Sequence, residues 1–159
     1  MDWGPLGTDF YSPDCGVEAC GQAIKLWTGQ APSHEAIDLA QNRFSALGGL
    51  QKALGGWFWR SIEGHRLGGY ARIVSLREQQ AAIRRWGCFI VAMRGLPETK
   101  ANHIILVLKS DAESITYVSW GSERTALKRE CVFGTAYAIV PKFHPILIWW
   151  TIKNAFVGA

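Results

Sequence analysis

Covalent chemistry in this chain rests with its cysteines (Cys15, Cys20, Cys88, Cys131) and histidines (His34, His65, His103, His144). Cys15 sits in Asp14-Cys15-Gly16, and Val17, Cys20, Ile24 and Trp27 recur behind it at three- and four-residue intervals. That spacing predicts a helix opening at Cys15, with Asp14 as its N-cap and Gly29 as its stop. A thiol in a first turn lies near the positive end of the helix dipole, which favours thiolate, the nucleophile of covalent acyl transfer. The bland reading of such a cysteine is a small buried residue. Cys20, five residues on, is rotated well away from Cys15 and reads as core. Cys88 opens an apolar run and reads the same way. There is no CxxC pair, and Cys15, Cys20 and His103 lack a clear fourth ligand, so no metal or cofactor is expected.

His103 heads the apolar run His103-Ile104-Ile105-Leu106-Val107-Leu108, next to a loop over residues 96–102. A titratable residue at a strand edge beside a loop is well placed for the mouth of a site. The bland reading is a solvent-exposed histidine at a strand end. His34, His65 and His144 fall in a helix start, a glycine-rich loop and the tail. A polar residue on the following strand, Ser119 in Tyr117-Val118-Ser119-Trp120-Gly121, completes a cysteine, histidine and orienting-residue order. Asp111 and Glu113 lie in an expected turn and are poorer partners.

The elements that must position these residues are legible in outline. Residues 1–13 form a Gly/Pro-rich lead-in. A second short helix is expected from Ser33 to Asn42 with Ile37 and Ala40 inward, and a weaker third from Ser45 to Leu54. Gly55 to Tyr70 reads as a loop with a short strand. Ser75-Leu76-Arg77-Glu78 matches a capping box opening a helix to Trp86, which Gly87 ends. Short apolar runs follow at Cys88–Met93, His103–Leu108, Ile115–Ser119 and Ala136–Val140, the pattern of an antiparallel sheet. Helices first and sheet second give an α+β domain, taken as residues 1–143, followed by an apolar tail at 144–159. The tail is too short to span a membrane and reads as docked or as an exposed strip. Most of the tryptophans, 57, 59, 149 and 150 among them, read as packing, with Trp120 set apart because it follows Ser119 into the expected site.

The 159 residues are 48% hydrophobic and 19% charged, which excludes a disordered chain. A net charge of +4 is mildly basic and is not the dense patch of a nucleic-acid binder. No basic segment followed by an apolar run marks a signal peptide at the N-terminus.

With the order of motifs in view, the chain resembles the double-glycine leader peptidases of bacteriocin exporters, which are papain-like cysteine peptidases. The likeness is carried by Asp14-Cys15-Gly16 with Ala19-Cys20, Trp27 and Gly29. It continues in Gly87-Cys88-Phe89-Ile90-Val91 as a central strand, Asn102-His103-Ile104-Ile105 as the histidine strand and Ile115 to Gly121 as the next. It covers about Asp14 to Pro141. The resemblance implies a papain-like fold, with the nucleophile on an N-terminal helix and the histidine on a C-terminal antiparallel sheet. Cys15 and His103 are then the catalytic pair, Ser119 the third residue, and Asp14, Gly16 and Trp120 the residues bordering the substrate. Two positions depart from the family. Asp9 stands where a Gln six residues before the nucleophile usually helps hold the oxyanion. Ser119-Trp120-Gly121 stands where the family places Asp-Pro, and it is similar to the Asn-Ser-Trp-Gly of papain without the Asn.

The expected function is a cysteine peptidase acting on a protein or peptide, with cleavage after Gly-Gly as the resemblance implies. Its setting is read as a bacterial toxin module acting in the cytoplasm of a target cell, with an immunity protein as partner, or as leader-peptide processing in export. Amidase, deamidase or transglutaminase-like acyl transfer uses the same residues. A degenerate binding module of the same fold is the non-enzymatic reading.

Overall fold

The computed structural model of the chain describes residues 3–6, 15–38 and 67–157. The elements, in order, are α1 (Cys15–Thr28), β1 (Gly69–Ile73), α2 (Leu76–Trp86), β2 (Phe89–Arg94), β3 (His103–Ser110), β4 (Ser114–Ser119), β5 (Ser122–Leu127), a short 3-10 turn (Lys128–Glu130), β6 (Val132–Val140) and α3 (Ile146–Asn154). Residues 34–38 add a helical turn. Its start is capped by Ser33, whose Oγ accepts the Ala36 N–H at 3.1 Å, and Ile37 is fully buried. The fold class is α+β, as expected. The expected segments Ser45–Leu54, Trp57-Phe58-Trp59 and most of Gly55–Tyr70 lie outside the described residues, as do Asp9, Asp14 and Ala40.

The six strands form one antiparallel sheet in the order β1-β6-β2-β3-β4-β5. Both faces are covered, which explains why the central strands read as unbroken apolar runs rather than alternating ones. On one face Ile90, Leu106, Val118 and Ile139 pack against Val17, Cys20, Ala23 and Ile24 of α1. On the other, Phe89, Val91, Ile105, Val107 and Tyr117 pack with Ala82 of α2 and Leu147 and Trp150 of α3. Cys20 and Cys88 are buried, as their positions predicted, and burial pushes the Cys88 thiol well above its ordinary range.

Four details correct the sequence reading. Helices do not simply precede the sheet: β1 comes before α2 in the chain and pairs with β6, the last strand. The histidine strand's successor ends at Ser119, and Trp120-Gly121 is a turn rather than its continuation. β5, Ser-Glu-Arg-Thr-Ala-Leu, was not expected at all. Among its residues only Ala126 is buried, so no apolar alternation marks it, and its charges suit an exposed sheet edge. Trp149 is not packing, since it is 57% exposed on the outer side of α3. The expected tail is both docked and exposed: Leu147 and Trp150 enter the core, while Ile148, Trp149 and Ile152 face out. No helix among the described residues is long and apolar enough to cross a membrane.

The capping box of α2 is present, and its N3 residue does more than cap. Glu78 Oε1 accepts the Val74 N–H at 2.9 Å and Ser75 Oγ accepts the Glu78 N–H at 3.1 Å. The same buried carboxylate accepts from Asn154 Nδ2 and pairs with Lys153 Nζ at 2.9 Å. Asn154 Nδ2 also donates to the Arg72 carbonyl at 2.9 Å, covering part of the edge strand β1. One carboxylate thus ties β1, α2 and α3 together. Glu78→Ala is expected to cost about 2–4 kcal/mol, because it strands several buried donors at once. Urea unfolding of the two proteins, read by far-UV circular dichroism, checks the value.

Candidate active site

Helix α1 begins at Cys15, as its apolar spacing requires, and ends where Gly29 takes a left-handed φ of 78°. Its first turn therefore places the Cys15 thiol at the positive end of the helix, with Gly16 buried behind it. Cys15 Sγ accepts the backbone N–H of Ile104 at 3.2 Å. That N–H belongs to the peptide joining His103 to Ile104, and His103 lies 88 positions after Cys15 in the chain. An N–H donated to sulfur favours the thiolate over the thiol.

His103 opens β3 and is only 4% exposed, which overturns the solvent-exposed alternative. Its Nε2 meets Ser119 Oγ at 2.8 Å. The pairing follows from register. The β3–β4 ladder aligns Leu106 with Val118, so Ser119 falls opposite Ile105 and shares a sheet face with His103 two residues away. Ser119 is itself 2% exposed, so imidazole and hydroxyl are buried together. With Nε2 committed to Ser119, Nδ1 is the ring nitrogen left for proton transfer. Burial pushes the His103 imidazole below its ordinary 6.5, and the charge of Glu98 on the β2–β3 loop opposes that shift. Glu98 is held by the Tyr117 hydroxyl, which donates to it at 2.7–2.8 Å, with Arg124 at 3.9 Å. Sequence reasoning missed Glu98. Its signal was a carboxylate on the loop leading into His103.

Trp120 stacks on the His103 ring, with centroids 5.0 Å apart and planes 26° from parallel. It reaches that place through an uncommon backbone. Ser119 pairs with Ser122, so Trp120-Gly121 is a two-residue hairpin turn, and both residues have positive φ, 50° and 78°. Such a turn usually carries Asn-Gly, because a bulky residue with positive φ is strained by about 1–2 kcal/mol. Here the strained residue is the one covering the histidine, a pattern associated with functional sites.

The structure groups His103, Ser119 and Trp120 on the sheet face of Ile105 and Tyr117, and it sets the Cys15 sulfur against the Ile104 N–H at the edge of the face that α1 covers. Asp14 lies outside the described residues, and Gly16 is buried in the helix. No group of three or more His, Cys, Asp or Glu among the described residues is arranged to hold a metal ion. No protein-family model, curated protein or solved structure matches the chain.

Two tests follow from this geometry. Only Cys15 and Cys131 are partly exposed, and burial together with the charges of Glu130 and Glu98 raises the Cys131 thiol above its ordinary 9.0. Iodoacetamide near neutral pH is expected to label Cys15 first, then Cys131, with Cys20 and Cys88 last; mass mapping of the labelled peptides reads the order. The second test concerns pH. His103 takes up its proton in the unfolded chain near 6.5 and in the folded chain only at lower pH. The unfolded state therefore binds more protons in between, and stability falls as pH drops below 6.5. His103→Gln should flatten that part of a stability-against-pH curve.

Proposed function

We propose that this chain is a cysteine peptidase of papain-like fold, with Cys15 as nucleophile, His103 as base and then acid, and Ser119 as the residue orienting His103. The observation that carries the reading is the meeting of a helix-start thiol with the β3 backbone beside a buried histidine already held by a hydroxyl. The arrangement has the order and roles of nucleophile, base and orienter that covalent acyl transfer needs.

In this reading the neutral imidazole takes the Cys15 proton as sulfur attacks the substrate carbonyl carbon. The C–S bond forms and the carbonyl electron pair moves to oxygen. The positive end of the α1 dipole, where Cys15 sits, is the environment suited to that oxyanion. This offsets the absence of the family's Gln at Asp9. The imidazolium then gives its proton to the leaving amine as the C–N bond breaks. Water, deprotonated by the same imidazole, hydrolyses the thioester and frees Cys15. The Ser119 hydroxyl fixes the ring without carrying charge, so it steadies the imidazolium less than a carboxylate would.

Cleavage after Gly-Gly is the proposed preference. One supporting observation is that Leu67-Gly68-Gly69 is packed where it leads into β1: the Gly68 N–H bonds the Val140 carbonyl at 2.8 Å, and a Cβ on Gly68 would lie 2.3 Å from the Phe143 nitrogen. This one of the chain's three Leu-Gly-Gly sites is thereby withheld from a peptidase site while folded.

Cys15→Ala is expected to abolish hydrolysis, and Ser119→Ala to lower kcat on the order of tenfold with the fold retained. A peptide spanning Leu67 to Ala71 should be cut after Gly69, and its Gly→Ala versions should resist. Chromatography with mass identification of the fragments reads both. Full hydrolysis by Cys15→Ala protein contradicts the assignment of the nucleophile.

A further inference from the structure

Residues 3–6 lie beside the site, and three separate contacts pin them there. Glu18 Oε1 accepts the Leu6 N–H at 2.9 Å. Gln22 Nε2 donates to the Gly4 carbonyl at 2.7 Å and also reaches Glu18 Oε1 at 3.3 Å. On the other side the segment runs against Gly121, where an added Cβ would fall 2.3 Å from the Pro5 nitrogen and 2.4 Å from the Gly4 carbonyl carbon. Glu18 and Gln22 are 4% and 1% exposed. Burying a carboxylate and an amide costs free energy, and these contacts to the strap offset part of it. Gln22 Oε1 finds no hydrogen-bond partner in its buried place, so the side chain is oriented by its donor to Gly4 at the expense of its acceptor.

Position on the helix gives these residues a purpose. Glu18 and Gln22 follow Cys15 by three and seven residues, so nucleophile and clamp share one face of α1. The strap leaves that face and abuts Gly121, the second residue of the turn whose first residue, Trp120, covers His103. Trp120 holds an unfavourable backbone conformation, and the strap packs against the residue that follows it in the turn.

Resting on the cysteine-peptidase reading, we propose that Glu18 and Gln22 are positioning residues of the active site, which act by clamping the Trp3–Leu6 strap onto the Trp120-Gly121 turn and so fixing Trp120 over His103. The strap is then a working part of the site that couples the nucleophile's helix to the turn beside the base. Neither residue touches substrate in this account.

The test compares Gln22→Ala, Glu18→Ala, Glu18→Gln and Pro5→Gly in the full chain. Glu18→Gln keeps an acceptor for the Leu6 N–H and should rescue what Glu18→Ala loses. Pro5 is exposed, so Pro5→Gly loosens the strap while removing no buried group, and it decides the matter should the buried substitutions prevent folding. Three readouts are taken: far-UV circular dichroism for the fold, kcat and KM on the double-glycine peptide, and the titration of His103 by NMR of carbon-labelled histidine. Among the described residues the charge acting on the ring is that of Glu98, held by Tyr117 and Arg124, and all four variants leave these three and Cys15 in place. Gln22→Ala and Glu18→Ala should lower kcat about tenfold with KM changed less than about twofold. Their His103 should titrate closer to 6.5, because a ring that loses its cover is better hydrated. Pro5→Gly should move both in the same direction by a smaller factor, about threefold in kcat. Folded variants with wild-type kcat and wild-type His103 titration overturn the proposal. If the wild-type protein cuts no peptide yet His103 titration still follows the strap, the positioning role stands and the peptidase reading is what fails.

Discussion

A backbone N–H at the start of β3 pointing at the sulfur of Cys15 is the contact on which the site depends. It joins the first turn of α1 to the sheet at the residue next to His103, so the two chemical groups are placed by main-chain geometry rather than by long side chains. The rest of the fold holds that junction in register. Val17, Cys20 and Ile24 seat α1 on one face of the sheet, while α2 and α3 close the other. With both faces covered, a slip of β3 by one residue would exchange its buried sets and take His103 off the face it shares with Ser119.

Burial sets the chemistry of the histidine. An imidazole shut away from water resists carrying charge, and a hydroxyl partner offers it a hydrogen bond without a counter-charge. The result favours an imidazole that is neutral at neutral pH, the form that the proposed base requires. Glu98, fixed by Tyr117 and Arg124 behind the loop, supplies negative charge at a distance and keeps the shift from going further. Trp120 adds cover at the cost of a strained backbone, a local rule broken where the site needs it.

Much of this was legible from residue order. The helix from Cys15, the capping box at Ser75 and Glu78 and the apolar strands follow from spacing, because each rests on local periodicity or a cap, whereas the pairing of His103 with Ser119 was expected from the motif order of the resembled family. What escaped was set by tertiary contact. β5 has no apolar alternation, since an edge strand with one buried residue needs none. Trp149 was taken as packing because composition does not show which side of α3 the sheet covers. Glu98, Glu18 and Gln22 read as ordinary polar residues until the loop and the strap close on them. Trp120-Gly121 carried a legible sign in its glycine, but a tryptophan at the first turn position masks a hairpin that Asn-Gly would announce.

The central claim is that Cys15 is the atom that attacks. A tripeptide aldehyde, acetyl-Leu-Gly-glycinal labelled with ¹³C at the aldehyde carbon, presents that carbon where a scissile carbonyl would lie. The account predicts a hemithioacetal resonance on adding it to the native protein, and its loss in folded Cys15→Ser protein. A labelled carbon that stays aldehyde or hydrate with the native protein, or an adduct that persists in the Cys15→Ser variant, would contradict it.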